Sequence, residues 1–263
     1  MYELEQSEVY LLLFAKSSCI KFIKNINYNI YKYNSCFLCF DLNDSKMAIS
    51  CNKLSNEKNK EELFEVLKEI YTNLNIYSFF FIFGDLNIHL NLKSNEKLLI
   101  DLVKKHSNET NYDFSKLYIF DQYFQCKEEN YIFGEMEEAK IKFSPTYKYN
   151  IGNTNYDTTE ITPSWYDRIF YKKNSKTIPL SYNKCLLTLS YHQPIYGVYK
   201  ITTETINNEK KNSILNEIKK EKNKVRHKSK NKNTINNCDY SNIEVINNFD
   251  INFKSKLYKY FLK

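Results

Sequence analysis

A chain of 263 residues is long enough for one large domain, or for one domain with an appendage. Apolar side chains make up 42% of it, with 23 Tyr and 18 Phe against 4 Gly, 4 Pro and 1 Trp, which excludes collagen-like, disulfide-miniprotein and wholly disordered classes. The net charge of +7 sits at one end: residues 201–263 carry 14 of the 38 basic and 7 of the 31 acidic side chains, leaving 24 of each in residues 1–200, so the body is neutral and no nucleic-acid partner is expected.

The chain opens with an acidic stretch, Met1 to Glu8, where a secretory leader would be basic. No apolar run approaches the roughly 18 residues of a membrane span. The 7 Cys are odd in number and lack framework spacing, so a reducing, cytoplasmic location is expected. Val9 to Ala15, Cys36 to Leu42 and Lys46 to Cys51 read as strands, the last two joined by a turn at Asn43-Asp44. Cys36 and Cys39 have metal-site spacing, but no second pair accompanies them, and a buried strand is the better reading. Asn56 to Asn73 reads as an amphipathic helix with Leu63, Phe64, Leu67, Ile70 and Tyr71 on one face. Tyr77 to Phe83 is a continuous apolar run, hence a strand buried on both faces. A helix follows at Asn95 to His106, then strands at Lys140 to Phe143, Arg168 to Lys172 and Ile195 to Ile201.

The tail has its own layout. Residues 207–224 predict a polar helix with Ile214, Leu215 and Ile218 on one side. Lys219 to Lys232 is Lys/Asn-rich and reads as a solvated linker, or as a contact for anionic lipid headgroups, where each Lys is worth about 1 kcal/mol. From Asp239 partly alternating apolar residues suggest the start of a C-terminal β module.

Four segments carry chemistry. Phe83-Gly84-Asp85-Leu86-Asn87 follows the buried strand directly, so Asp85 and Asn87 project at the carboxyl end of a sheet, a frequent place for an active site. A carboxylate can activate a water and a nearby amide can orient an oxyanion; an Asx-capped turn uses the same residues. Phe143-Ser-Pro-Thr-Tyr-Lys-Tyr149 offers the Tyr147 hydroxyl and the Lys148 point charge, which suit a phosphate, although alone it is only a loop. Pro163-Ser-Trp-Tyr-Asp-Arg168 holds the single Trp and one of two Arg in a Lys-dominated chain. In Ser190-Tyr-His-Gln-Pro194, His192 is either a donor to a phosphoryl oxygen or a satisfied structural histidine.

In this order and spacing the segments resemble the inositol polyphosphate 5-phosphatases of the endonuclease/exonuclease/phosphatase fold, which read GD-x-N, F-x-PTYK, YDTS, PAWCDR and SDH-x-P. Here the counterparts are Gly84-Asp-Leu-Asn87, Phe143-Ser-Pro-Thr-Tyr-Lys148, Tyr156-Asp-Thr-Thr159, Pro163-Ser-Trp-Tyr-Asp-Arg168 and Ser190-Tyr-His-Gln-Pro194. The resemblance covers residues 9–200 and implies an α/β fold, a two-sheet β-sandwich flanked by helices in four layers, with the family's N-terminal strands missing. Residues 1–200 are then a catalytic domain incomplete at its N-terminus, 201–238 a helix and linker, and 239–263 the start of a further module. The implied activity is Mg²⁺-dependent hydrolysis of the 5-phosphate of a phosphoinositide lipid or soluble inositol phosphate, with peripheral membrane contact through the basic tail. By the same resemblance Asp85, Asn87, Asp167 and His192 are catalytic: Asp85 activates water, Asn87 aligns it, and Asp167 orients and charges His192, which stabilises phosphoryl oxygens. Tyr147, Lys148 and Arg168 are the implied substrate-binding residues.

The departures concentrate on the metal side. The family's metal-binding Glu falls before Met1, and Tyr191 replaces the Asp of SDH. A family His aligns with Lys53, and an Arg after GD-x-N with His89. Two basic residues expected before the P-x-W segment are lost, leaving Glu160-Ile-Thr162. The metal ligands are therefore not identified. The alternative expectation is a catalytically degenerate pseudophosphatase that binds phosphoinositide or protein.

Overall fold

The computed structural model describes residues 2–6, 9–31, 34–54, 74–91, 96–106, 113–127, 135–159 and 161–230. The chain divides into two units, residues 1–206 and 207–263. The described strands of the first unit are β1 (Tyr2–Gln6), β2 (Val9–Leu13), β3 (Ile23–Tyr31), β4 (Ser35–Leu42), β5 (Ser45–Lys53), β6 (Phe79–Asp85), β7 (Met136–Glu138), β8 (Asp167–Lys172), β9 (Thr177–Lys184) and β10 (Ile195–Ile201). Its described α-helices are α1 (Glu96–His106) and α2 (Gln122–Lys127). The helix expected at Asn56 to Asn73 lies outside the described residues, as does the module expected from Asp239.

A six-stranded sheet runs β3-β4-β5-β6-β8-β7, antiparallel except for the parallel β5–β6 pair. The β4–β5 hairpin closes through Asn43-Asp44, with Asn43 in the left-handed region at φ 57°, a conformation Asn tolerates. On β6 the apolar run is buried on both sides because successive side chains alternate across the sheet. Phe80 and Ile82 pack with Phe37, Ala48 and Phe170 on one face. Phe79 and Phe81 pack with Leu38, Phe40 and Tyr171 on the other. That second face is covered by two antiparallel hairpins, β1–β2 and β9–β10, through Val9, Leu11, Tyr199 and Ile201. The sandwich expected from the sequence is thus present. Cys36 and Cys39, three residues apart on β4, face opposite sides of the sheet and both are free thiols.

The three-residue β7 escaped the sequence pattern, and so did three longer strands. One is β1, which pairs with β2. Edge strand β3 has a bulge between Lys24 and Asn27, with Asn25 at φ 51°, and exposes Tyr28 and Ile30, which blurs the period of two. The third, β9, contains Pro179, which argues against a strand, yet a register shift at Val198/Tyr199 accommodates it in a two-stranded ladder. The strand expected at Lys140 to Phe143 is not one. Ile141 and Phe143 are buried as the alternation implied, but side chains satisfy their backbone: Tyr118 Oη accepts from Ile141 N at 2.7 Å, and Trp165 Nε1 donates to Phe143 O at 3.0 Å.

Among the described residues of the second unit, the helix α3 (Asn208–Lys230) runs through most of the stretch read as linker. Lys has good helix propensity, and Asn207 caps the first turn by accepting from Lys210 N at 3.0 Å.

Candidate active site

Three adjacent strands end together. Parallel pairing sets Lys53 at the end of β5 beside Asp85 at the end of β6, and antiparallel pairing sets Asp167 at the start of β8 beside the same Asp85. Paired residues on neighbouring strands point to the same side of a sheet, so the three charged side chains share one face. Gly84 makes the approach possible. It sits at φ 127°, and a Cβ there would lie 2.0 Å from Asn52 O. The chain then turns through Asn87, buried and left-handed at φ 48°, whose N–H donates to Asp85 Oδ1 at 3.2 Å.

His192 arrives from the loop between β9 and β10. Its Nδ1 lies 3.0 Å from Asp167 Oδ2, and its Nε2 lies 3.9 Å from Asp85 Oδ2. A carboxylate only accepts, so Nδ1 carries a proton and Nε2 faces Asp85. The loop is held against the P-T-Y-K segment: Gln193 N donates to Thr146 O at 2.9 Å and Tyr149 N to Tyr191 O at 2.9 Å. The Tyr147 ring stacks on His192 at 4.3 Å between centroids and on Tyr166 at 4.4 Å. Lys148 pairs with Asp157 at 2.9 Å, and Asp157 also accepts from Thr159 Oγ1 at 2.6 Å, so these hydrogen bonds and that charge hold its carboxyl well below the usual range.

Charge is concentrated here. Burial, then the charge of Asp167, pushes the Asp85 carboxyl up to about 6, against the opposing pull of His192, the Asn87 N–H and Lys53. Burial by itself disfavours a charged His192, but the hydrogen bond and charge of Asp167, with Asp85, outweigh it and raise the imidazole above its ordinary 6.5. The pair can therefore present a basic carboxylate and an acidic imidazolium to one bound group.

The structure brings together Asp85, Asn87, Asp167, His192, Tyr147 and Lys148. It does not bring in Arg168, and the substrate-binding role expected for that residue is corrected here. The alternation that turns Asp167 toward Asp85 sends Arg168 to the opposite face. There it is fully buried, donating to Asp121 Oδ2 at 2.9 Å and to both Glu138 oxygens at 2.7 and 2.6 Å, with Tyr182 Oη also donating to Glu138 at 2.8 Å. Trp165 is likewise core, edge-on to Phe114 and Tyr118.

Residues 14–198 match the Endonuclease/Exonuclease/phosphatase family 2. The chain belongs to this family. Within it the chain is homologous to inositol polyphosphate 5-phosphatases. It is 30% identical over 198 residues to synaptojanin of Caenorhabditis elegans, covering 72% of this chain and 16% of that protein. It is 33% identical over 133 residues to the polyphosphatidylinositol phosphatase INP53 of Saccharomyces cerevisiae, covering 50% of this chain and 12% of the relative. The chain thus spans a small part of these curated relatives. Among solved structures, the inositol polyphosphate 5-phosphatase domain of SPsynaptojanin, in complex with inositol (1,4)-bisphosphate and a calcium ion, superposes with a TM-score of 0.71 at 26% identity, covering 87% of this chain and 70% of that one.

For this family member a divalent cation is the expected cofactor, but the described donors do not fit one. Among the described residues no group of three His, Cys, Asp or Glu is placed to hold a metal ion. Asp167 is engaged by His192, and Asp85 has an ammonium, Lys53, as its strand partner. Tyr191, where the family has Asp, is half exposed with the Lys148 ammonium 5.6 Å from its ring centre. A hard cation wants oxygens in near-ideal geometry, and an aromatic ring and a fixed positive charge supply neither. Tyr166 was not singled out from the sequence. It stacks on Tyr147, and its hydroxyl lies 2.7 Å from His89 Nδ1; the only signal was its place before Asp167.

Proposed function

We propose that this chain is an inositol polyphosphate/phosphatidylinositol phosphate 5-phosphatase, hydrolysing a phosphate monoester on an inositol ring. The observation that carries the reading is the line Asp167–His192–Asp85, with separations of 3.0 and 3.9 Å, built from two strand ends and the β9–β10 loop inside the matched region. Asp167 keeps His192 protonated and oriented, and the Nε2–H donates to a phosphoryl oxygen as negative charge builds on it. Asp85 takes a proton from the attacking water. The new P–O bond forms, the ester P–O bond breaks, and the released inositol oxygen takes up a proton from solvent. Lys148, positioned by Asp157, grips a neighbouring ring phosphate, and Tyr147 fixes the imidazole plane by stacking. Mg²⁺ is the cofactor the resemblance implies; no step is assigned to it, because the described residues offer it no donor set. A lipid substrate would be met at a membrane surface, where the +7 of residues 201–263 favours anionic headgroups.

A second reading, binding without turnover, is favoured by Tyr191 standing in place of a family carboxylate and by the Lys53 ammonium paired beside Asp85. Phosphate release by the full chain from vesicles carrying a 4,5-bisphosphorylated inositol lipid, with and without Mg²⁺, decides between them. Release that disappears in Asp85→Asn supports the enzyme. Vesicle binding with no release by folded protein supports the second reading.

A further inference from the structure

We propose that Lys53 is a phosphate-binding residue that lets this site hold a phosphate monoester dianion without a divalent cation. This deepens the phosphatase reading, since it concerns the same site, but it is a statement about binding and stands or falls separately.

The geometry begins with register. Lys53 is the last residue of β5 and pairs with Asp85, which pairs in turn with Asp167. A row of three strand ends therefore presents one ammonium and two carboxylates to the same face, with His192 above them. The backbone around Lys53 is fixed: its N–H donates to Asn34 O at 3.0 Å, and Leu54 N donates to Asp85 O at 2.9 Å. Lys53 itself is exposed. Its charge reaches both working groups, lowering the pKa of Asp85 and of His192.

Two carboxylates repel an anion. A phosphate dianion entering this strip needs positive charge on the Asp85 side as well as the His192 side. His192 supplies one, and Lys148 lies beyond Tyr147. Lys53 is the cation that the β5–β6 register sets beside Asp85. An ammonium donates three hydrogen bonds and binds phosphate as a point charge. It neutralises charge but does not polarise a P–O bond as a Lewis acid does.

The test is calorimetric titration of the full chain with soluble inositol 1,4,5-trisphosphate in EDTA and again in Mg²⁺, with a parallel arm using vesicles of the 4,5-bisphosphorylated lipid. Binding in EDTA is expected, strengthened less than about threefold by Mg²⁺. Lys53→Met should weaken it about tenfold or more, and Lys53→Arg should restore most of it. Inorganic phosphate in EDTA should compete. Because Lys53 is exposed, both variants should melt at the wild-type temperature, which separates lost binding from lost folding. Binding only in Mg²⁺, or Lys53→Met binding like wild type, overturns the proposal. Absence of turnover with Lys53-dependent binding in EDTA removes the phosphatase reading alone. Turnover that needs Mg²⁺ and ignores Lys53→Met removes this proposal alone. Binding confined to the vesicle arm identifies the lipid as the source of the phosphate; binding in both arms, the shared headgroup.

Discussion

Asp85 and Asp167 stand directly opposite each other across the antiparallel β6–β8 ladder, and the charge of Asp167 helps raise the Asp85 pKa. Like charges placed face to face are unfavourable in a sheet. Here His192 bridges them, with one nitrogen toward each carboxylate. The strip is destabilising in isolation and functional once an imidazolium sits over it.

The first prediction concerns pH. Asp85 must be deprotonated to accept a proton, so kcat/KM should rise with pH through about 6. His192 must be protonated to donate, so kcat/KM should fall again above its raised pKa, which lies higher than 6.5. A bell-shaped profile is expected. In Asp167→Asn the hydrogen-bonding charge that raises the imidazole pKa is gone, and the alkaline limb should move to lower pH while the acid limb, relieved of Asp167's repulsion, also moves down. A profile whose limbs stay in place would remove Asp167 from its positioning role.

Asp85 also carries a stability signature. Its folded pKa, about 6, lies above the ordinary 3.8, so the folded state binds this proton more tightly than the unfolded chain. Stability from this group is fully present below pH 3.8 and is lost as pH rises through 6. At pH 7 the buried charge costs on the order of 3 kcal/mol. Asp85→Asn keeps the shape and an acceptor for the Asn87 N–H. It should therefore abolish turnover yet raise the melting temperature at pH 7 by about 5 °C, with the gain shrinking toward pH 4. Thermal melts across that range check the sign.

Arg168 is predicted to matter for folding rather than for substrate. Removing it leaves Asp121 and Glu138 buried without their cation, which costs about 3–5 kcal/mol. Arg168→Met should lower the melting temperature by about 10 °C, and Arg168→Lys should recover only part of it because the fork to Glu138 is lost. A variant that melts like wild type but binds inositol phosphate weakly would instead restore Arg168 to the site.

How much of this was legible depended on whether a residue's role was local. The β4–β5 hairpin and the buried β6 were readable because a two-residue turn and an unbroken apolar run encode them locally. The Asp85, Asp167 and His192 segments were readable through ordered motifs. The side to which Arg168 points was not, because a one-residue offset on β8 decides it and only the register with β6 reveals that offset. Strand β9 was hidden by Pro179, and the backbone of 140–143 by side-chain partners 22 to 23 residues away. Lys53 stood out only as a departure from a family pattern; its place in the charged strip is a property of three strand ends.

Lys184 gives the last prediction, one that crosses sign. It sits at the end of β9, part-buried beside the P-T-Y-K segment, donating to Ser144 Oγ at 2.7 Å and to Tyr149 Oη at 2.5 Å. No carboxylate partner accompanies those bonds among the described residues, and burial lowers its pKa from 10.5 to about 7. Below pH 7 both folded and unfolded chains hold the proton, and the full cost of a buried ammonium is borne. Between 7 and 10.5 the unfolded chain keeps a proton that the folded one has released, so stability rises with pH across that window. From pH 6 to 9.5 the rise is on the order of 3 kcal/mol. Lys184→Met removes both the charge and the two hydrogen bonds. It should melt higher than wild type at pH 6, where the charge dominates, and lower at pH 9.5, where the neutral amine's hydrogen bonds are the larger loss. Tyr149 keeps its bonds to Pro145 O and Tyr156 Oη in the variant, so the segment should stay folded and the comparison should remain two-state. A difference in melting temperature that does not change with pH would show that Lys184 is solvated and charged throughout.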